Sequence, residues 1–203
     1  DPMRLVLASN NAKKLAELQT LFAPLGIELV NQGALGIPEA EEPFDSFVEN
    51  ALAKARHAAQ LSGLPALADD SGISVTALGG APGVRSARYA ADAGGAKSDA
   101  ANNERLLREM ASIDAREARF VCALVAVRSS TDPEPLIAMG RWQGRILRQL
   151  TGEGGFGYDP LMYIDALGAT VAQLDAATKN QHSHRALAAA QLLAQFREAW
   201  GLG

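Results

Sequence analysis

Two adjacent carboxylates, Asp69 and Asp70, interrupt an apolar stretch running from Leu67 to Val75. Burying such a pair is costly unless a cation or hydrogen-bond donors compensate. In an extended strand the two side chains point to opposite faces, so one of them reaches a shared site. Upstream lie Glu39, Glu41 and Glu42. A hard divalent ion such as Mg²⁺ takes one or two carboxylates and shares its remaining positions with water and phosphate oxygens. Asp70 with a glutamate from 41–42 suits that role. Cations come from Ser9-Asn10-Asn11-Ala12-Lys13-Lys14, a polar turn that opens a helix. Backbone N–H groups and the dipole at a helix start favour a phosphate. Ser9 and Asn11 can donate to it, and Glu17, one turn on, can orient the ammonium of Lys13 or Lys14. Lys54, one turn beyond Asn50, is a further cation.

Gly152 to Pro160 reads GEGGFGYDP, a flexible loop carrying Phe156 and Tyr158. Its formal G-x-G-x-x-G is not a dinucleotide fingerprint, because Pro160 follows and no helix opens there. Gly95-Ala96-Lys97-Ser98 lacks the glycine that a P-loop needs before its lysine. An aromatic ring on the loop can stack on a nucleobase. Lys179 and then Ser183-His184-Arg185 stand at the start of the last helix, a second place for an anion or a carbonyl. His182-x-His184 has no further Cys or His ligand nearby and makes a poor zinc site. No G-x-S-x-G nucleophile motif is present. Phosphate-friendly helix starts and lysines, a metal-capable carboxylate cluster and an aromatic glycine loop together suit a nucleoside triphosphate with Mg²⁺.

The elements that must position these groups are legible from periodicity. Arg4 to Ala8 reads as a buried strand. Asn10 to Leu25 has a helical period with Leu15, Leu18, Leu21, Phe22 and Leu25 on one face, and Gly26 stops it. Ile27 to Val30 is a second strand. Ser46 followed by Glu49 forms a capping-box pattern for a helix that Gly63 ends, with Val48, Ala51, Leu52, Ala55, Ala58 and Ala59 on its apolar face. Leu67 to Val75 is expected as a strand interrupted at Asp69 to Gly72. Gly79 to Gly83 is a loop, and Asn102 to Met110 a helix. Arg119 to Val127 and Leu136 to Leu147 read as two long antiparallel strands, and Ser183 to Trp200 as an amphipathic helix. Strand, turn and helix in this order give an α/β chain with a mixed twisted sheet.

The chain of 203 residues fits one domain, or two lobes sharing a core. Nineteen Lys and Arg face twenty-three Asp and Glu, a net charge of −4. That balance argues against a nucleic-acid groove, whose affinity comes from a basic surplus, but a small anion needs only a few local cations. A single cysteine, Cys122, excludes an internal disulfide and reads as a buried thiol in the apolar run Phe120 to Val127. That run falls far short of the ~18 apolar residues of a membrane span. The first residues lack the pattern of a signal peptide. Met3 is read as the native start, so the domain is taken as 3–203 with residues 1–2 outside it.

These motifs resemble the inosine triphosphate pyrophosphatase family, also described as dITP/XTP pyrophosphatases. The resemblance rests on LVLASNNAKKLAEL from Leu5, FVENALAKARHAA from Phe47, ALADDSGISVTALGGAPGVRSARYA from Ala66, GEGGFGYDP from Gly152 and K-x-x-x-S-H-R from Lys179. One departure is His182, where the family pattern has an apolar residue. The resemblance implies a two-lobed fold around a central nucleotide-binding cleft, a cytoplasmic homodimer, and Mg²⁺-dependent hydrolysis of ITP, dITP or XTP to the monophosphate and pyrophosphate, cleansing the nucleotide pool. It places Ser9, Asn11, Lys14 and Glu17 in the family's S/T-x-N-x-x-K-x-x-E pattern, making Lys14 the phosphate lysine. It implies that Asp70 orients or deprotonates water and helps hold the metal with Glu41 or Glu42. Ser9, Asn10, Asn11, Ala12, Lys13, Lys14, Lys54 and Ser71 would surround the phosphates. Phe156, with Gly157 and Tyr158, would take the purine, and Asp159, Lys179, His184 and Arg185 would read its edge. The rivals are a pyrophosphatase for other modified nucleotides, such as methylated pyrimidines, and a nucleotide-binding sensor that does not hydrolyse.

Overall fold

The computed structural model describes residues 3–203, so the expectation for residues 1–2 lies outside the described residues. The elements, in chain order, are β1 (Met3–Leu7), α1 (Ala12–Phe22), β2 (Ile27–Asn31), α2 (Phe47–Ser62), β3 (Ala66–Val75), α3 (Tyr89–Asp92), α4 (Asp99–Glu109), β4 (Glu117–Val127), β5 (Leu136–Ile146), β6 (Met162–Ile164), β7 (Ala169–Thr170), α5 (Ala176–His182) and α6 (His184–Trp200). The strands form one sheet in the order β2-β1-β3-β4-β5-β6-β7. β1 pairs in parallel with β2 and with β3, while β5–β6 and β6–β7 are antiparallel, so the sheet is mixed. Among the described residues no helix is long and apolar enough to cross a membrane.

The chain divides into two compact units: one holds the chain up to Asp70 with Cys122–Gly140 and Ser183–Gly203, the other Ser71–Val121 with Arg141–His182. In the first unit the two faces of the sheet bury different partners. Leu5, Leu7, Leu67, Cys122 and Leu124 pack with Leu18 and Phe22 of α1 and with Leu192 and Phe196 of α6. The Phe22 and Phe196 rings meet edge to face, centroids 5.7 Å apart. The other face, with Val6, Ala66, Ala68, Ala123 and Val125, packs against Ala51, Ala55, Ala58 and Ala59 of α2. β4 is buried along almost its whole length, which is why it reads as an unbroken apolar run and not an alternating one. The second unit has its own core, including Ile73, Leu106, Met110, Phe120, Trp142, Ile146 and Leu161.

Local signals set the ends of the site-bearing helices. The side chain of Asn11 accepts from the N–H groups of Lys13 and Lys14 and starts α1. Ser46 caps α2 by accepting from the Glu49 N–H, and its hydroxyl donates to the Glu49 carboxylate at 2.8 Å. Gly63 ends that helix at φ +68°. Ser183 caps α6, accepting from the Ala186 N–H, so His182 does not disturb the helix start. α6 also lies very close to β5. A Cβ on Gly140 would stand 2.0 Å from the His184 carbonyl, so only glycine admits the helix there. β3 differs from expectation: it runs unbroken from Ala66 to Val75 through Asp69-Asp70-Ser71-Gly72. The cations described next make this possible.

Candidate active site

β3 alternates, with Leu67 in the cluster that α1 and α6 cover and Ala66 and Ala68 in the cluster that α2 covers. The same alternation sends Asp69 toward the first face and Asp70 toward the second. Each carboxylate meets a lysine from its own side. Lys14 Nζ of α1 lies 2.8 Å from Asp69 Oδ1. Lys54 Nζ of α2 lies 3.4 Å from Asp70 Oδ1 and 2.6 Å from Glu42 Oε1, and it donates to the Asp69 carbonyl at 2.8 Å. Two charges inside one strand are thus balanced from both faces, which removes the need for a turn.

The two aspartates have opposite acidities. Burial works against ionisation of Asp69, but Arg185 and Lys14 outweigh it and hold this carboxyl well below the usual carboxylate range. Arg185 Nε donates to Asp69 Oδ2 at 3.0 Å, and Arg185 Nη1 donates to Glu17 Oε2 at 2.7 Å. The Cys122 thiol also donates to Asp69 Oδ2, and burial with the neighbouring Asp69 charge pushes that thiol well above its ordinary value. For Asp70, burial exceeds the attraction of Lys54, and Glu42 and Asp69 add repulsion, so its carboxyl is pushed up to about 6. Burial lowers the affinity of Lys54 for its proton, but Asp70, Glu42 and Asp69 together hold it above the ordinary lysine value. Asp70 Oδ2 is buried and has no hydrogen-bond partner.

That orphaned oxygen is the fit test for a metal. No three His, Cys, Asp or Glu side chains converge on a ready-made cage among the described residues. Mg²⁺ does not require one, since one or two carboxylates suffice when phosphate and water supply the rest. Asp70 and Glu42, brought together on Lys54, fit that donor set. Glu41 is exposed, and Glu39 accepts from Asn10 Nδ2 at 3.4 Å.

Several expected site residues take other posts. Arg185 is 1% exposed, donates to Asp69 and Glu17, and neutralises these carboxylates. Glu17 accepts from Arg185, and Asp69 holds Lys14. Ser9 Oγ accepts from the Asn11 N–H at 3.0 Å and shapes the turn. Lys13, Asn10 and Ala12 are exposed, Ser71 is half-buried and His184 buried.

In the second unit the glycine loop is organised around Asp159. Its Oδ2 accepts from the Phe156 N–H at 3.1 Å and from Lys179 Nζ at 3.1 Å, and Lys179 Nζ lies 4.6 Å from the centre of the Phe156 ring. Asp159 and Lys179 are buried. Gly155 stands at φ +69°, and a Cβ there would lie 2.2 Å from Asp159 Oδ2, so the loop closes on the carboxylate only with glycine. The two rings divide their work. Tyr158 is a core residue whose hydroxyl donates to the Ser86 carbonyl at 2.6 Å. Phe156 is half-buried and is the ring with surface to offer. Gly157 is held by α4, through Asp99 and Asn103. Sequence reasoning missed both, and the only local trace is their i, i+4 spacing on one helix.

The fold and the paired Lys–Asp centre define an α/β protein with two buried carboxylates met by lysines from opposite faces. The Ham1 family model matches residues 5–195, so the chain belongs to the Ham1 family. It is 65% identical to a dITP/XTP pyrophosphatase of Leptothrix cholodnii, over 98% of this chain and 100% of that protein. It is 62% identical to one of Ralstonia nicotianae, over 96% of each. Among solved structures, a HAM1 protein from Coxiella burnetii superposes with a TM-score of 0.88 at 44% identity, covering 97% of this chain and 100% of that one. The Staphylococcus aureus Ham1 protein gives 0.83 at 36% identity, covering 96% and 98%.

Proposed function

We propose that the chain is a Mg²⁺-dependent nucleoside triphosphate pyrophosphatase. In this reading it converts dITP, XTP and ITP to the monophosphate and pyrophosphate, and as a cytoplasmic homodimer it clears deaminated purine nucleotides from the pool. The observation that carries the reading is the Asp69–Asp70 pair met by Lys14 and Lys54 from opposite faces, with one buried Asp70 oxygen left without a partner. The names of the relatives support the dITP and XTP specificity.

In the proposed reaction a water oxygen attacks the α-phosphorus, the bond to the α–β bridging oxygen breaks, and pyrophosphate leaves. Asp70 accepts the water proton. In the metal-free protein burial pushes the Asp70 carboxyl up to about 6, so it is mostly ionised at neutral pH. Asp70 with Glu42 or Glu41 would hold Mg²⁺, which when bound would supply neutralisation of the phosphate charge. Lys14 and Lys54 meet the charge that grows on the leaving group. Ser9, Asn11, Lys13 and the start of α1, with Ser71, complete the phosphate contacts.

Phe156 stacks on the purine, and Lys179 reads its 6-position. An ammonium has only donors. It pairs with the carbonyl of hypoxanthine or xanthine and leaves adenine's amino group unmatched, the strong kind of discrimination. The test mixes the protein and Mg²⁺ with dITP, XTP, ITP, dATP, dGTP and a methylated pyrimidine triphosphate, following pyrophosphate against orthophosphate. Pyrophosphate from dITP and XTP is expected. Orthophosphate release, a preference for dATP, or tight binding without turnover would refute the reading.

A further inference from the structure

Gly157 is the residue between the two rings of the glycine loop, and α4 takes both of its backbone polar groups. Its N–H donates to Asp99 Oδ2 at 2.9 Å, and its carbonyl accepts from Asn103 Nδ2 at 3.0 Å. Asp99 and Asn103 are four residues apart, on one face of one helix. A rigid element therefore grips the donor and the acceptor of a single residue. α4 does not need these bonds for its own start, because the Ser98 hydroxyl oxygen accepts from the Ala101 N–H at 3.1 Å.

Asn103 is also expensive where it stands. It is 4% exposed, and its Oδ1 is buried with no hydrogen-bond partner. An apolar side chain of similar size would avoid that desolvation cost, so the amide is explained by the bond its nitrogen makes. The neighbouring Asn102 does comparable tethering elsewhere, accepting from the Ala90 N–H at 2.8 Å and donating to the Ala87 carbonyl at 3.1 Å. What the clamp restrains is a loop with much freedom to lose. Gly152, Gly155 and Gly157 all have positive φ, and glycine gives up more backbone entropy on ordering than any other residue. Phe156 sits directly before the clamped residue, with its own N–H fixed by Asp159.

We propose that Asp99 and Asn103 are specificity-determining positioning residues: by clamping Gly157 they hold the Phe156 ring ready for a purine base, and they act on the base and not on the phosphates. This rests on the reading of Phe156 as the stacking ring. The experiment compares wild type with Asn103→Ala, Asp99→Ala and Asp99→Asn in pyrophosphate release from dITP, with inorganic tripolyphosphate as a competitor that has no base. Asn103→Ala should raise KM for dITP by about tenfold, the scale of one base stack, with kcat within about twofold. Asp99→Ala should raise KM several-fold. Asp99→Asn should restore it, since the amide oxygen still accepts from Gly157. The Ki of tripolyphosphate should not move in any of them. An unchanged KM for dITP, even with lowered thermal stability, would reduce the clamp to a structural tie, and a Ki for tripolyphosphate rising in step with KM would show that it does not act on the base. Both overturn the proposal. Asp99 is exposed, so its replacement spares the fold and keeps the test decisive if Asn103→Ala does not fold. If wild type releases no pyrophosphate from dITP, the functional reading itself fails; if wild type is active and both alanine variants match it, only the clamp fails.

Discussion

Asp70→Asn should abolish turnover and at the same time make the metal-free protein more stable. Asp70 is 6% exposed, and its carboxyl is pushed from 3.8 up to about 6, chiefly by burial. The native state therefore binds this proton more tightly than the unfolded chain does. The associated stability is fully present below pH 3.8 and is lost as the pH rises through about 6. At about 1.4 kcal/mol per tenfold in proton affinity, the full loss is about 3 kcal/mol. Asparagine keeps the shape and carries no charge to bury, so it escapes that loss. It also gives up the attraction of Lys54, which Glu42 and the Asp69 carbonyl still hold. The informative quantity is then how the gain changes with pH, in surroundings that include Lys54, Glu42, Asp69 and Lys14. Urea unfolding of both proteins in excess chelator should show the advantage of asparagine to be larger at pH 7.5 than at pH 4.5 by about 2 kcal/mol. An advantage that is flat across that range, or larger at pH 4.5, would refute the burial argument. Adding Mg²⁺ at pH 7.5 should narrow the difference, because the ion binds the folded wild type and not the variant.

Arg185→Met should destabilise the chain by about 3–5 kcal/mol in urea, because Asp69 and Glu17 stay buried or half-buried after their cation is gone. Gly140→Ala should cost about 1–3 kcal/mol and lower the melting temperature, since its methyl group has the His184 carbonyl only 2.0 Å away. Cys122 should resist a thiol reagent at pH 8 in the native state and react at once in urea, as its thiol is fully buried and pushed well above its ordinary value. Rapid native labelling would mean that β4 opens far more readily than its burial implies.

The elements that local rules govern were legible in the chain. Asn11, Ser46 and Ser183 stand at helix starts with side-chain acceptors, Gly63 announces an end, and the apolar run of β4 announces a strand. What local rules could not show was made by partners far along the chain. Asp69 to Gly72 has the look of a turn because the strand that contains it supplies no cation. Lys14, Lys54 and Arg185 supply it from three helices, Arg185 from 116 residues away. The same distance hid the buried ion pairs of Arg185. In S-H-R at a helix start it reads as an outward anion group, and only the close approach at Gly140, with the carboxylates of Asp69 and Glu17, turns it into a core counterion. Asp99 and Asn103 were hidden too, because the backbone groups they hold lie more than fifty residues downstream.

The division of labour between the adjacent aspartates follows from the period of a strand. They have the same side chain and differ by one position in β3. One position is a change of face, and each face has its own helices. Asp69 meets a guanidinium and an ammonium and becomes a permanent anion that holds Lys14. Asp70 meets Lys54, which Glu42 approaches more closely still, so its attraction is divided and burial decides the acidity. A one-residue slip of β3 would exchange the two environments and turn every apolar neighbour to the wrong face. The packing of Leu67 against α1 and α6, and of Ala66 and Ala68 against α2, therefore fixes which carboxylate is held as a counterion and which has its acidity set by burial. The acidity of Asp70 is a property of the core pattern around it as much as of the lysine beside it.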